Sequence, residues 1–157
     1  MSSSRALANH KLYLAKIQLA AWRAQLQEQQ LGANVLAQAF LPAVRGHLLE
    51  AYGWLLLTLI DVGEPPSGSL PHSVDQLPDI PPGKAAPGNL IELQGLESGG
   101  WLAELLAPPP AEATAMSRRP GNLATSTTSA AGLEEASVWC ASMEAIIERL
   151  GDSLDEC

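Results

Sequence analysis

The chain has 157 residues, of which 46% are apolar and 4% aromatic, and its formal net charge is −8. This length suits a single domain with one core, and a composition rich in Leu and Ala, both strong helix formers, favours an all-α fold over a sheet. The acidic balance argues against nucleic-acid binding, because that affinity comes from clustered Lys and Arg on a phosphate backbone.

The first predicted helix spans about residues 4–30. Apolar residues recur in it at alternating steps of four and three, which is typical of a helix face that packs against another helix. This first apolar row consists of Ala8, Leu12, Ala15, Leu19, Trp22 and Leu26.

A second apolar row on the same helix is predicted to lie roughly opposite the first. Its members are Leu7, Leu14, Ile17 and Ala21. Because a bundle helix normally needs one apolar face, this second row is the candidate surface for a protein partner or a second copy of the chain. In the alternative interpretation, a linker segment at 77–80 folds back and covers the row.

The second predicted helix spans about residues 34–62, with Asn34 as its cap after the flexible Gly32 and a kink at Pro42. Its apolar run at 48–60 has thirteen residues and contains Glu50. A membrane-spanning helix needs about 20 apolar residues, so the sequence predicts a buried central helix and no membrane span.

Two long linkers flank a short third helix. Residues 63–88 contain seven prolines and four glycines, which predicts a crossing linker without regular structure. The third helix is predicted at 89–107, with Asn89 and Glu92 as a capping box and a break near 98–100, after which Ser98 would cap the second half. A second linker is predicted at 108–129.

The last predicted helix spans about residues 131–150 and ends at Gly151. It repeats the steps of four and three in the row Leu133, Ala136, Cys140, Met143, Ile147 and Leu150. The whole chain, 1–157, is therefore predicted to form one all-α domain, resembling a four-helix bundle with a proline-rich crossover and a broken third helix.

Charged residues accompany the apolar rows of the first and last helices. Arg5, Lys16 and Arg23 follow one line on the first helix, and the last helix carries the acidic residues Glu134, Glu135, Glu144 and Glu148. If these two helices are neighbours, the charges are expected to pair across their interface and to select which helices pack together.

The sequence predicts no enzyme and no bound cofactor. The pair His47 and Glu50 lies on one helix face, but a bundle metal site needs a second copy of such a pair with further carboxylates opposite. Cys140 and Cys157 are too few for a disulfide framework or a zinc site. The sequence also has no glycine-rich phosphate loop, no nucleophile elbow and no Cys–His arrangement that would activate a thiol.

The N-terminal segment indicates a cytoplasmic protein. Lys11 and Lys16 interrupt the region in which a secretory signal would need an unbroken apolar stretch. Without an export signal, the cytoplasm is the expected compartment.

Four segments together carry a family resemblance: NHKLYLAKIQLAAW, RGHLLEAYGWLL, NLIELQGLESGGWLAELL and WCASMEAIIERL. They resemble a family of small uncharacterised helical proteins of gammaproteobacteria, chiefly pseudomonads, known as a domain of unknown function. The resemblance implies a cytoplasmic helical fold and brings no functional residues. This chain departs from the family pattern in its more apolar second helix and more proline-rich linker.

These observations favour a non-catalytic protein interaction module whose partner is unidentified. The alternative is a helical bundle that binds a small apolar ligand, with four tryptophans lining a cavity. Those tryptophans are Trp22, Trp54, Trp101 and Trp139.

Overall fold

The computed structural model describes residues 3–66, 68–78, 87–107 and 125–155. Over these ranges the chain forms five α-helices, a single 3-10 turn at Val74–Gln76 and no β-strand, which confirms the predicted all-α class. The helices are α1 (Ser3–Glu28), α2 (Ala33–Leu59), α3 (Pro87–Gly99), α4 (Trp101–Leu106) and α5 (Thr125–Asp155).

Helices α1 and α2 form an antiparallel hairpin. Lys11 Nζ lies 2.6 Å from a Glu50 carboxylate oxygen, and the Trp22 ring stacks on Phe40 with centroids 6.2 Å apart. The turn between the helices contains Gln29, whose φ of 55° is left-handed. The N-cap of α2 is Gly32, and the predicted cap Asn34 lies inside the first turn, so that prediction is wrong.

Helix α5 runs antiparallel along the other side of α1. Lys16 Nζ lies 2.8 Å from a Glu144 carboxylate oxygen, which confirms one of the predicted pairs between the charged rows. The other two basic residues of the predicted row have different partners: Arg5 pairs with Asp152 and Asp155, and Arg23 donates to the Ser137 hydroxyl.

The core lies where the apolar rows of α1 and α5 meet α2. All members of these two rows are buried except Leu26 and Leu133, which are partly buried against the core. Helix α2 is buried continuously from Leu55 to Ile60, because α1, α5 and the linker surround its second half. As predicted from its short apolar run, this helix does not meet the length and apolarity that crossing a membrane requires, and neither does any other described helix.

The predicted break in the third helix falls at Gly100, an extended residue between α3 and α4. Its amide donates to the Leu96 carbonyl and its carbonyl accepts from Ala103, so backbone bonds continue through the break. The predicted side-chain caps are wrong here. Helix α3 begins at Pro87, two residues before Asn89, and the Ser98 hydroxyl donates back to the Gln94 carbonyl.

Arg45 of α2 closes the far end of this broken helix. Its guanidinium donates to the carbonyls of Leu105, Leu106 and Ala107 over 2.9–3.3 Å. The last carbonyls of a helix have no partner within it, so the arginine satisfies them and holds α4 against α2.

The proline-rich linker is packed on α2 where it is described. A Cβ at Gly53 would lie 2.9 Å from both the Leu70 Cβ and the Pro71 carbonyl oxygen, so only a glycine allows this approach. Pro71 itself is buried. The linker is thus part of the packed structure between 70 and 77.

The last helix is longer than predicted at both ends, since α5 covers 125–155 instead of 131–150. The predicted linker 108–129 is correspondingly shorter, and residues 108–124 lie outside the described ranges. Gly151 does not end the helix. It lies under the Arg5 guanidinium, where a Cβ would come within 2.7 Å of an arginine nitrogen, and the ion pairs of Arg5 bind the following turn.

Candidate interaction surface

One side of α1 remains open to solvent along most of its length. Tyr13 is 59% exposed and Ile17 is 46% exposed, which is high for apolar side chains in the middle of a long helix. Four further exposed residues continue their line at steps of four and three. We call this surface the outer face of α1, and it consists of Ala6, His10, Tyr13, Ile17, Ala20 and Ala24.

The position of the outer face follows from the burial of the first apolar row. Ala15 and Trp22 are fully buried between α2 and α5, and 100° per residue turns Tyr13 and Ile17 to the opposite side. The two helices that pack extensively on α1, α2 and α5, therefore both lie on its inner side.

The structure divides the predicted partner-binding residues into two pairs. Ile17 and Ala21 are exposed, whereas Leu7 and Leu14 are half-buried on the flank of α1 that faces α2. The register of the hairpin, fixed by Lys11 with Glu50, explains this difference because it places Leu7 and Leu14 on the same flank as Lys11.

The described part of the linker lies elsewhere and leaves Ile17 open. Leu77 borders a groove together with Leu57 of α2, on the side of the molecule where the linker crosses Gly53. Residues 79 and 80, the remainder of the segment proposed to cover the second row, lie outside the described residues.

Sequence analysis missed Tyr13 and His10 as members of an exposed row. A signal was present, since Ala6, His10, Tyr13 and Ile17 already follow the steps of four and three. Aromatic and small residues count less than leucine in an apolar pattern, so the stronger leucines at the flank obscured it.

The charges beside the outer face are paired within the chain. Lys11 on one flank contacts Glu50, and Lys16 on the other contacts Glu144. The outer face itself contains no carboxylate and no lysine or arginine. The result is an uncharged strip on a strongly acidic protein.

Another exposed apolar residue, Val138, lies in an acidic groove of about 280 Å³ on α5. The groove is bordered by Glu104, Glu134 and Glu135, with Trp139 beneath. The Trp139 Nε1 atom is buried without a described hydrogen-bond partner, so it is not available to a molecule in the groove. We therefore interpret this groove as an acidic part of the surface that covers the core, and not as a binding site.

The groove between the linker and α2 is the described cavity most relevant to an apolar ligand. It has a volume of about 230 Å³, below the roughly 300–1,000 Å³ of usual ligand pockets, and no tryptophan lines it. Trp22 and Trp139 are buried in the core, and Trp54 and Trp101 are partly buried against it. The ligand-binding alternative stays a prediction.

A polar junction joins α2, α3 and the linker. The Tyr52 hydroxyl donates to a Glu97 carboxylate oxygen that also accepts the Val74 amide at 2.9 Å. Burial raises the pKa of Tyr52 far above its usual value, and the Glu97 carboxylate raises it further. Tyr52 therefore remains a neutral donor throughout the physiological range.

The predicted pair His47 and Glu50 and the buried Cys140 each have surroundings that serve packing or ion pairing. Glu50 pairs with Lys11, while the His47 Nδ1 atom is buried without a described partner. Burial raises the pKa of the Cys140 thiol, which makes it a poor nucleophile. Among the described residues, no three His, Cys, Asp or Glu side chains converge on a point where a metal ion would be held.

Comparison with known proteins brings no match: no family model fits the chain, and no curated protein or solved structure is significantly similar to it. The resemblance to the gammaproteobacterial family therefore stays a prediction.

Proposed function

We propose that this protein is a non-catalytic interaction module that binds a protein partner through the outer face of α1. The observation that supports the proposal is the exposure of Tyr13 and Ile17 at the centre of an uncharged strip. We also propose, from the sequence, that the protein is cytoplasmic and related to the gammaproteobacterial family that it resembles.

Physical chemistry favours a protein as the occupant of this surface. The outer face is the long, convex side of a helix, whereas small ligands bind in concave sites that enclose most of their surface. Tyrosine is enriched among the residues that dominate binding energy at protein interfaces, and a surrounding of small residues allows a second helix to approach closely. A helix laid along α1 would cover both large side chains.

The proposal is tested by affinity capture from the native cell with three forms of the chain. The forms are the parent, Ile17→Glu and the control Ile91→Glu, which changes an apolar residue of α3 that is 66% exposed. We expect Ile17→Glu alone to lose a partner, because it places a charge in the centre of the apolar contact.

The retained proteins are quantified by mass spectrometry, with an untagged copy of this chain included among the proteins scored. Binding of one partner to the parent and to Ile91→Glu, but not to Ile17→Glu, supports the proposal. The same set of retained proteins for all three forms contradicts it.

A further inference from the structure

We infer that the outer face of α1 binds the outer face of a second copy, with the two α1 helices antiparallel across a two-fold axis. This inference rests on the proposed function and specifies its partner. It follows from the order of large and small residues along the face. After Ala6 come the large side chains His10, Tyr13 and Ile17, and Ala20 and Ala24 follow them.

Antiparallel pairing can place Tyr13 and Ile17 opposite alanines, with His10 at the level of Gln27. In an antiparallel pair of identical helices, the residue numbers of any two facing positions add up to the same value. We choose the register in which this sum is 37. Ile17 then faces Ala20 of the second copy, and Tyr13 faces Ala24. A parallel pair would instead place Tyr13 against Tyr13 and alanine against alanine, leaving gaps beside the contacts.

In the same register His10 faces position 27 of the second copy, one residue before Glu28. That glutamate is exposed at the end of α1. Lys16 comes near Arg23 of the second copy, but Glu144 already lies 2.8 Å from that lysine. The charges at the rim are therefore compatible with the contact.

The distribution of charge also favours α1 as the surface between two copies. Each chain has a net charge of −8, so two copies repel each other over most approaches. The side formed by α1 is the exception, because its outer face is uncharged and the adjacent Lys11 and Lys16 are each paired with a carboxylate of the same chain. Contact through α1 keeps the acidic α5 surfaces of the two copies on the outside.

The expected dimer is reversible. In this register the two outer faces overlap from Tyr13 to Ala24, a length of about 17 Å, and so short a helix pair lies at the low end of specific interface sizes. Association is therefore expected to depend on protein concentration, with the half-buried Leu14 bordering the contact.

Sedimentation equilibrium of the purified full chain from about 1 µM to about 1 mM tests the second copy as partner. The parent and Ile91→Glu are expected to rise from the monomer mass of 16.5 kDa towards twice that value. Ile17→Glu and, separately, Ala20→Glu are expected to weaken association by at least about tenfold. Circular dichroism identifies any variant that has lost its fold.

The antiparallel register is tested by disulfide trapping between two variants that each gain one cysteine, Tyr13→Cys and Ala24→Cys, mixed in a Cys157→Ser background. Cys140 stays in place because it is 4% exposed and its thiol is a poor nucleophile. The mixed 13–24 disulfide is expected to form faster than either symmetric disulfide.

The outcomes separate this inference from the proposed function. A parent chain that remains monomeric at every concentration overturns pairing between copies, while an Ile17-dependent partner in the capture experiment would still support the proposed function. A dimer insensitive to both Glu substitutions overturns the use of this face. Faster symmetric disulfides overturn the antiparallel register.

Discussion

At the scale of single residues, Tyr52 connects three parts of the molecule. It is 1% exposed on α2, and its hydroxyl bonds the same Glu97 oxygen that accepts the linker amide of Val74. A hydrogen bond to a charged acceptor typically contributes about 1.5–3 kcal/mol to stability. The junction therefore stabilises the position of the linker as well as the contact between α2 and α3.

We predict that Tyr52→Phe lowers the free energy of unfolding by about 1.5–3 kcal/mol at neutral pH. The folded-state pKa of Tyr52 is raised above the unfolded value of about 10. The stabilisation is thus complete below pH 10 and is lost as the pH rises, because the unfolded chain releases the proton more readily. Urea unfolding from about pH 8 to pH 11 should show the parent approaching the variant.

Tyr13→Phe is the matched control for this experiment, since Tyr13 is 59% exposed. It should leave both the stability at neutral pH and its decline in alkali unchanged at protein concentrations where the chain is monomeric. If the difference between parent and Tyr52→Phe were constant across the pH range, the assigned role of the tyrosine hydroxyl would be incorrect.

At the scale of elements, the linker owes its place to a glycine of α2. The close approach of Leu70 and Pro71 to Gly53 leaves no room for a Cβ, and one of the two contacting atoms is a backbone oxygen. A backbone atom cannot move aside by changing a rotamer, so the contact is sensitive to the smallest substitution.

We predict opposite effects for two Gly→Ala substitutions on the same helix. Gly53→Ala should destabilise the protein by about 1–3 kcal/mol, because overpacking outweighs the gain in helix propensity. Gly46→Ala should stabilise it by about 0.5–1 kcal/mol, since nothing lies within 4 Å of the added Cβ. Thermal and urea unfolding measure both.

Proteolysis adds a readout for the linker itself. In Gly53→Ala the segment near Leu70 should be cut faster than in the parent, because local opening exposes it. An equally stable Gly53→Ala protein with unchanged cleavage would show that the linker does not depend on this contact.

At the scale of the whole molecule, the antiparallel packing of α1 and α5 brings the first and last helices together. Arg5 near the start of α1 reaches Asp155 at the end of α5, and Lys16 reaches Glu144 further along. The first and last described segments are thereby held side by side, with the core rows between them.

We predict that Lys16→Glu lowers the melting temperature in low salt, because it places two carboxylates together where an ion pair existed. The pair is 44% and 38% exposed, so its contribution should be about 0.2–1 kcal/mol. Added salt should reduce the difference from the parent, and the double variant Lys16→Glu with Glu144→Lys should recover most of the loss. A double variant no better than Lys16→Glu alone would argue against this contact.

The features determined by the sequence alone are those that depend on local periodicity. The all-α class, the buried rows of α1 and α5, and the break beside Gly100 could each be predicted, because helical geometry places residues three and four apart on one face. The row that contains Ala15 is buried from Ala8 to Trp22, as its pattern indicates.

Tertiary structure decided where helices end, which polar groups pair and which face of α1 stays open. The predicted caps at Asn34, Asn89 and Ser98 were wrong, because a helix end is set by the contacts around it as much as by its cap residue. Arg45 bonds carbonyls about 60 positions away, a pairing that depends on helix register and approach. The exposure of Ile17 likewise could not be read from the sequence, because it depends on where α2, α5 and the linker pack.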